Sequence, residues 1–472
     1  MKQESELFAF ENKYPFLYEI LVGGVPIYTS YRDAIVQILR DGTEAVSSVQ
    51  AQGKDGISIK RIISGFFKKR KFKKKQTLIF TSTIYRRDKG RNLAAEYLMD
   101  KYPSACVFEW SRRNAEYDNA YFTDVNKDKY CPLDYFSVRL KLYSLFHKKE
   151  YARLCEECRQ IILPQFEKTP AETENEKRAV AYLLENLPDS YATTVIYQKL
   201  FGKYFKGYKN VQYAVDFWGG ARENIIPALK NNPQSIELQH GIIMSYHAGY
   251  IYPKFVKDSQ LDFFKRKLLV YGEATKTLLV ENSIFDEDKI EVIGNPRIQK
   301  YKEIQSMESE DRKLIVFASQ SYEQDGTGID YYKSVIKILK SVQAEMQKDS
   351  FWKEYRLGVK LHPRESENAM KLYQQELLGI EVYGNTSQLF EILNKTFVQL
   401  TVSSTTLYEA AQFDAPTVSV KYADYKPLAI YGFETWLMED EKSVESIMQK
   451  LKDKIEYDKY LNYLKTKTQE YM

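Results

Sequence analysis

Three of the four histidines in this sequence stand after, or in the loop following, a short apolar run: His240 in SIELQHG, His247 in SYHAGYIYP and His362 in LGVKLHP. Imidazole can take a proton near neutral pH or donate to a phosphate oxygen. A single histidine is more often structural than functional. Three at strand-end loops point the group toward function, and His147, in LFHKKE, is expected on a surface helix.

A second cluster is VSSTTLYEAA, residues 402–411. Ser403 and Ser404 close an apolar run, and Thr405 and Thr406 open a helical pattern. Hydroxyls beside the free amides of a helix start can hold an anion, whereas ordinary capping needs only one hydroxyl. Glu409, one turn further on, is placed to meet ribose hydroxyls. A third cluster is KLHPRE, where Pro363 stops the strand and Lys360, His362 and Arg364 supply donors for a phosphate. GNPR, residues 294–297, is a turn signal expected to close the first half of the chain.

Other patterns carry less. Asp286 and Asp288 precede a strand and read as a solvated turn rather than a metal site. GTG at 326–328 is not expected in the strand–turn–helix setting of a dinucleotide fingerprint. No P-loop, HExxH or GxSxG occurs. Cys155 and Cys158 form a lone CxxC in a helical pattern without two further ligands nearby, so buried thiols are expected.

The elements that must position these residues alternate. TLIFTST, SACVFEW, NVQYAVDF, SIELQHG, KRKLLVYG and KIEVIG read as strands separated by helices, with a long helical stretch over 133–208. After the polar segment 301–312 the alternation restarts with KLIVFASQ, RLGVKLHP, GIEVYG, FVQLTVSS and APTVSV. Strands separated by helices of ten or more residues imply parallel βαβ units. The expected division is a first domain over 1–300, a linker over 301–312, a second domain over 313–435 and a helical tail over 436–472. Ligands of such sheets lie at the strands' carboxyl ends.

A chain of 472 residues suits two domains. Its 44 % apolar and 28 % charged residues are globular proportions. Mean hydropathy is −0.49, and the first ten residues, MKQESELFAF, lack the pattern of a secretory signal. Neither secretion nor membrane spanning is expected, and four cysteines suit a reducing cytoplasm. The net charge of +5 is local: Lys68, Lys69, Arg70, Lys71, Lys73, Lys74 and Lys75 supply seven charges, leaving −2 elsewhere. This cluster reads either as a contact for an anionic membrane surface or as a solvated loop before the first strand. No nucleic-acid-binding motif accompanies it, and nucleic acid is not an expected partner.

On the His362-Pro363 dipeptide, the Ser403-Ser404 helix start and the two Rossmann-like halves, the chain resembles GT-B glycosyltransferases. It is similar in particular to bacterial sialyltransferases and to capsule and lipopolysaccharide enzymes that use CMP-sugars. The resemblance spans residues 210–425 and includes ELQHGIIMSYHAGYIYP and VIGNPR. It implies two parallel-sheet domains facing a central cleft, with His362, Pro363, Ser403 and Ser404 on the donor phosphate. The acidic D/E-D-G motif of the sialyltransferases is absent. CDP-glycerol and CDP-ribitol phosphotransferases, which share the His-Gly, HP and Ser-Ser features, imply instead that His240, followed by Gly241, is the base.

The implied reaction is an inverting, metal-independent transfer from a nucleotide-sugar, CMP-linked, to a bacterial surface polysaccharide or lipopolysaccharide. Gln239, Gly241 and His247 would orient the base or bind the acceptor glycan or glycolipid. No cofactor is implied, and the location is the cytoplasm, peripheral at the inner membrane face. The alternatives are a CDP-alditol phosphotransferase and a non-catalytic glycan-assembly protein.

Overall fold

The computed structural model describes residues 2–41, 58–72, 77–86, 88–111, 124, 126–206, 208, 212–215, 235–239, 241–245, 247–258, 266–304, 312–320, 328–362, 365–384, 387–423 and 431–472. His240, Pro363, Arg364, Lys73, Lys74 and Lys75 lie outside these residues. The chain forms two compact units, Met1–Pro296 and Arg297–Met472.

The first unit opens with helix α1 (Lys2–Lys13), a small hairpin of β1 (Leu21–Val22) and β2 (Val25–Pro26), and helix α2 (Arg32–Asp41). Helix α3 (Ile59–Lys71) then leads to β3 (Thr77–Ser82), helix α4 (Leu93–Lys101), β4 (Ala105–Trp110) and β5 (Tyr130–Pro132). Helices α5 (Asp134–Phe146), α6 (Lys148–Lys168) and α7 (Glu174–Tyr204) follow, then β6 (Gln212–Val215), β7 (Ser235–Leu238), β8 (Lys267–Val270), helix α8 (Glu273–Asn282) and β9 (Ile290–Val292). Among the described residues the order is β5-β4-β3-β6-β7-β8-β9, parallel throughout.

Every residue of β3 and β4 is buried, as expected of parallel strands covered on both faces. Phe80 and Phe108 are register partners with rings 5.5 Å apart. Phe201, near the end of α7, and Phe205, just beyond it, close over them at 5.8 and 4.9 Å. The long helical stretch is therefore a core layer. Beneath α3, a Cβ on Gly65 would lie 2.3 Å from the Pro132 carbonyl oxygen, so only glycine lets that helix lie so close to β5.

The N-terminal segment is built into the same core. Arg32, fully buried, grips Glu11 through two bonds of 2.6 and 3.0 Å and donates to the Ala248 carbonyl. The bidentate geometry satisfies both charges inside the fold.

The second unit carries β10 (Leu314–Ala318), α10 (Gly328–Lys348), β11 (Arg356–Lys360), α11 (Glu367–Glu376), β12 (Glu381–Tyr383), α12 (Leu389–Asn394), β13 (Thr396–Thr401), α13 (Thr406–Gln412), β14 (Thr417–Val420) and β15 (Leu437–Met438). Helix α9 (Pro296–Ile304) precedes it and occupies the first four residues of the segment read as a linker. Strand order among the described residues is β12-β11-β10-β13-β14-β15, again parallel. In both units the order reverses once, beside β3 in the first and beside β10 in the second. Doubly wound sheets leave a crevice at such reversals.

Three local expectations are corrected. Leu437 and Met438, placed in the helical tail, pair with Ser419 and Val420 as an edge strand. The tail is two helices, α14 (Glu441–Lys452) and α15 (Lys454–Gln469), separated where Asp453 caps the second. Gly328 does open a helix after β10, so the GTG tripeptide ends at a helix start; Gly326 and Thr327 lie outside the described residues.

Candidate functional site

In the second unit, β10, β11 and β13 deliver their carboxyl ends side by side, and side chains join them. Gln320, two residues past β10, donates from Nε2 to the Ser403 hydroxyl at 2.6 Å and accepts the Ser403 N–H at 2.8 Å. Its own N–H donates to the Tyr331 hydroxyl at 3.0 Å. Thr401 donates to the Ala318 carbonyl at 2.9 Å, closing the β10–β13 seam. The reversal of strand order is therefore spanned by a fixed carboxamide–serine pair.

The four hydroxyls of 403–406 divide their tasks. Ser404 Oγ accepts the Thr406 N–H at 3.3 Å and the Thr406 hydroxyl at 3.0 Å, so it performs the local capping. Thr405 is exposed and makes no capping bond. Ser403 is half-buried against Gln320. Glu409 lies 3.9 Å from Arg297, which stands in the first turn of α9 rather than in the turn expected over 294–297, and that guanidinium also covers the Phe390 ring.

The KLHPRE loop is organised by a residue that looks solvent-facing in sequence. Glu365 is buried and accepts from Ser319 Oγ at 2.8 Å, Tyr332 Oη at 2.9 Å and the His362 N–H at 2.5 Å. Ser319 Oγ also lies 2.9 Å from Tyr373 Oη. A buried carboxylate with three donors is well compensated, and it sets where the half-buried His362 emerges. Lys360 is buried and donates to the Leu361 carbonyl at 2.6 Å. Burial pushes its pKa down to about 8, with Glu365 opposing. Lys360 is thus interior to the loop rather than displayed on it.

In the first unit, Gln239 follows β7 and is buried. Its Oε1 accepts the Tyr271 N–H at 2.7 Å and its Nε2 donates to the Gly241 carbonyl at 2.7 Å. The carboxamide thereby fixes both flanks of position 240, and a Cβ at Gly241 would meet open space. His247 is half-buried; its Nδ1 accepts the Gly249 N–H at 3.1 Å, and burial holds its pKa below the usual value against the pull of Asp33. That bond and that shift favour neutral imidazole.

The buried strand carboxylates here are committed to arginines. Glu109, next to last in β4, sits between Arg86 at 2.6 Å and Arg61 at 3.3 Å, and Arg86 continues to Asp124 at 2.6 Å. Glu237, in β7, binds Arg266 at 2.6 Å and the Tyr250 hydroxyl at 2.5 Å. Asp286 pairs with Lys257 at 3.0 Å on the surface, as a solvated turn should. Cys155 and Cys158 are buried and free, and burial pushes the Cys158 thiol up to about 12. His147 is exposed between α5 and α6, its ring stacked on Tyr143 at 3.7 Å.

Two Rossmann-ordered parallel sheets in succession match a crystal structure of UDP-N-acetylglucosamine 2-epimerase at a TM-score of 0.50, with 13 % identity over 82 % of this chain and 90 % of that one. The fold is GT-B. Other GT-B neighbours include UDP-GlcNAc 2-epimerase from Neisseria meningitidis bound to UDP-GlcNAc (TM-score 0.44, 13 % identity, 83 % and 97 % covered). A variant of the wall teichoic acid polymerase TagF is a further one (0.44, 11 %, 87 % and 88 %). No family model matches the chain, and no curated protein does. Within the GT-B fold, the residues missed in sequence, Gln320 and Glu365, occupy the strand-end loops of the second sheet.

Proposed function

We propose that this chain is a glycosyltransferase that moves a sugar from a nucleotide-sugar, CMP-linked, to a hydroxyl of a bacterial surface polysaccharide or lipopolysaccharide, without a metal and with inversion. The observation that carries the reading is the Gln320–Ser403 pair at the strand-order reversal of the second sheet, beside the His362 loop. Doubly wound sheets bind nucleotides there. Ser403, Ser404, Thr405 and His362, with Pro363 and Arg364, would hold the donor phosphate and stabilise the charge that develops on the leaving group. Lys360 would back that loop, and Glu409 would meet the ribose. His240, with Gln239, Gly241 and His247 around it, would take the acceptor proton.

A second reading is a CDP-alditol phosphotransferase, supported by the His240-Gly241 pair that the chain shares with that group. Glu109 and Glu237 are clamped by arginines and neither is free to act as a base, so His240 would take that role in both readings.

Incubation with CMP-, CDP-, UDP- and GDP-linked donors and surface-glycan acceptors tests both. Release of CMP from a CMP-sugar supports the first reading. Release of CMP from a CDP-alditol supports the second. No release with any donor leaves a non-catalytic glycan-assembly role.

A further inference from the structure

The start of the lysine-rich stretch is the last turn of helix α3, not a loop before the first strand. The inward face of α3 is fully engaged. Arg61 is buried and bonds Asp134 at 2.9 Å and Glu109 at 3.3 Å, and Gly65 lies against Pro132. Lys68 donates to the Lys127 carbonyl, and the Lys69 ammonium sits 3.9 Å from the Tyr204 ring centre. These two lysines flank the buried side and are not a displayed patch.

The outward face has a different composition. Ile59, Ile63 and Phe67 are 75 %, 54 % and 65 % exposed. Their spacing of four residues places them in one row along the helix. Lys60, Arg70 and Lys71, all exposed, border that row. Three large apolar side chains in line, edged by cations, form the pattern of a helix lying in a membrane interface. Helix α5, packed on α3 through Tyr135 and Phe66 at 5.5 Å, ends in exposed Leu142, Leu145 and Phe146. Among the described residues no helix is long and apolar enough to cross a membrane.

We propose that α3 docks on an anionic lipid bilayer. Ile59, Ile63 and Phe67 enter the headgroup boundary, while Lys60, Arg70 and Lys71 meet lipid phosphates. Charge complementarity selects the occupant: each basic side chain near such a surface raises partitioning about fivefold. The apolar row adds a component that salt does not screen.

The test uses the full chain, pelleted with vesicles of phosphatidylcholine alone or with phosphatidylglycerol. Binding is expected only to the anionic vesicles, reduced but not abolished by salt. The double variant Ile63→Asp/Phe67→Asp should lower partitioning by at least about tenfold. Both positions are exposed, so its circular-dichroism melt should match the parent. Phe67→Trp should show blue-shifted emission on anionic vesicles only. The proposal is overturned if the parent stays in the supernatant, if the double variant pellets as the parent does, or if the tryptophan emission does not move. It is also overturned if the parent sediments as a dimer that the double variant dissolves, which assigns the row to a second copy. Nucleotide release reads other residues, so either result can fail without the other.

Discussion

The carboxamide of Gln320 holds Ser403 at two points, donating to its hydroxyl at 2.6 Å and accepting its backbone N–H at 2.8 Å. The two residues are 83 positions apart and follow adjacent strands of one sheet. Ser403 is therefore oriented from β10, and its own loop does not have to supply that orientation.

Replacing Gln320 by Leu removes both bonds while keeping the side chain's bulk. Nucleotide affinity, measured by titration calorimetry, should fall by up to roughly 100-fold, the upper bound set by stranding a fully buried polar partner, since Ser403 is half-buried. Ser403→Ala should give a similar loss, and the double variant little more than either single one. Fully additive losses would detach Gln320 from Ser403's role.

Glu365 satisfies Ser319, Tyr332 and the His362 N–H together. Glu365→Ala strands three donors and should lower unfolding free energy by about 3 kcal/mol in a denaturant melt. Glu365→Gln retains an acceptor and should lose less than half of that.

Lys360 provides a pH signature. Its pKa is lowered by burial to about 8. Below pH 8 the folded and unfolded chains both carry the proton, and the folded state bears the desolvation penalty in full. Between pH 8 and 10.5 the unfolded chain binds more of the proton, so stability rises with pH across that window. Lys360→Met should thus stabilise the protein at pH 7 by about 3 kcal/mol, an advantage that fades toward pH 10.5. Melts at about pH 7, 9 and 10.5 check the trend.

His362 and His240 separate binding from chemistry. His362→Ala should abolish the thermal shift given by the cognate nucleotide. His240→Ala should preserve that shift and lower turnover by roughly 10²–10⁴-fold. An unchanged rate would return attention to a carboxylate base.

Gly65→Ala places a methyl 2.3 Å from the Pro132 carbonyl oxygen, which is backbone and cannot step aside. A loss of about 1–3 kcal/mol is expected. A melt equal to the parent's would mean that α3 can shift on the sheet without penalty.

The strands are legible in the sequence wherever apolar, β-branched runs are covered on both faces, as in TLIFTS and ACVFEW. Short edge strands such as Leu437–Met438 carry too little pattern to be seen. Helix α3 is obscured because its apolar residues lie on both faces and its end is dominated by lysine. Ser403 and His362 are visible through hydroxyl clustering and the His-Pro stop. Gln320 and Glu365 are not, because a glutamine after a strand and a glutamate after Pro-Arg both look like solvent-facing loop residues. Their importance comes from partners 83 and 46 positions away, a separation that no local pattern encodes.

Arg32 adds a constraint in time. Its contact with the Ala248 carbonyl spans 216 positions. At about 5–20 residues per second, a ribosome needs roughly 10–40 s to supply that partner after Arg32 has been made. Meanwhile Leu17, Tyr18, Ile27 and Tyr28, all buried in the finished fold, have no completed core to enter. The first segment to be made is therefore among the last of its unit to be fully enclosed.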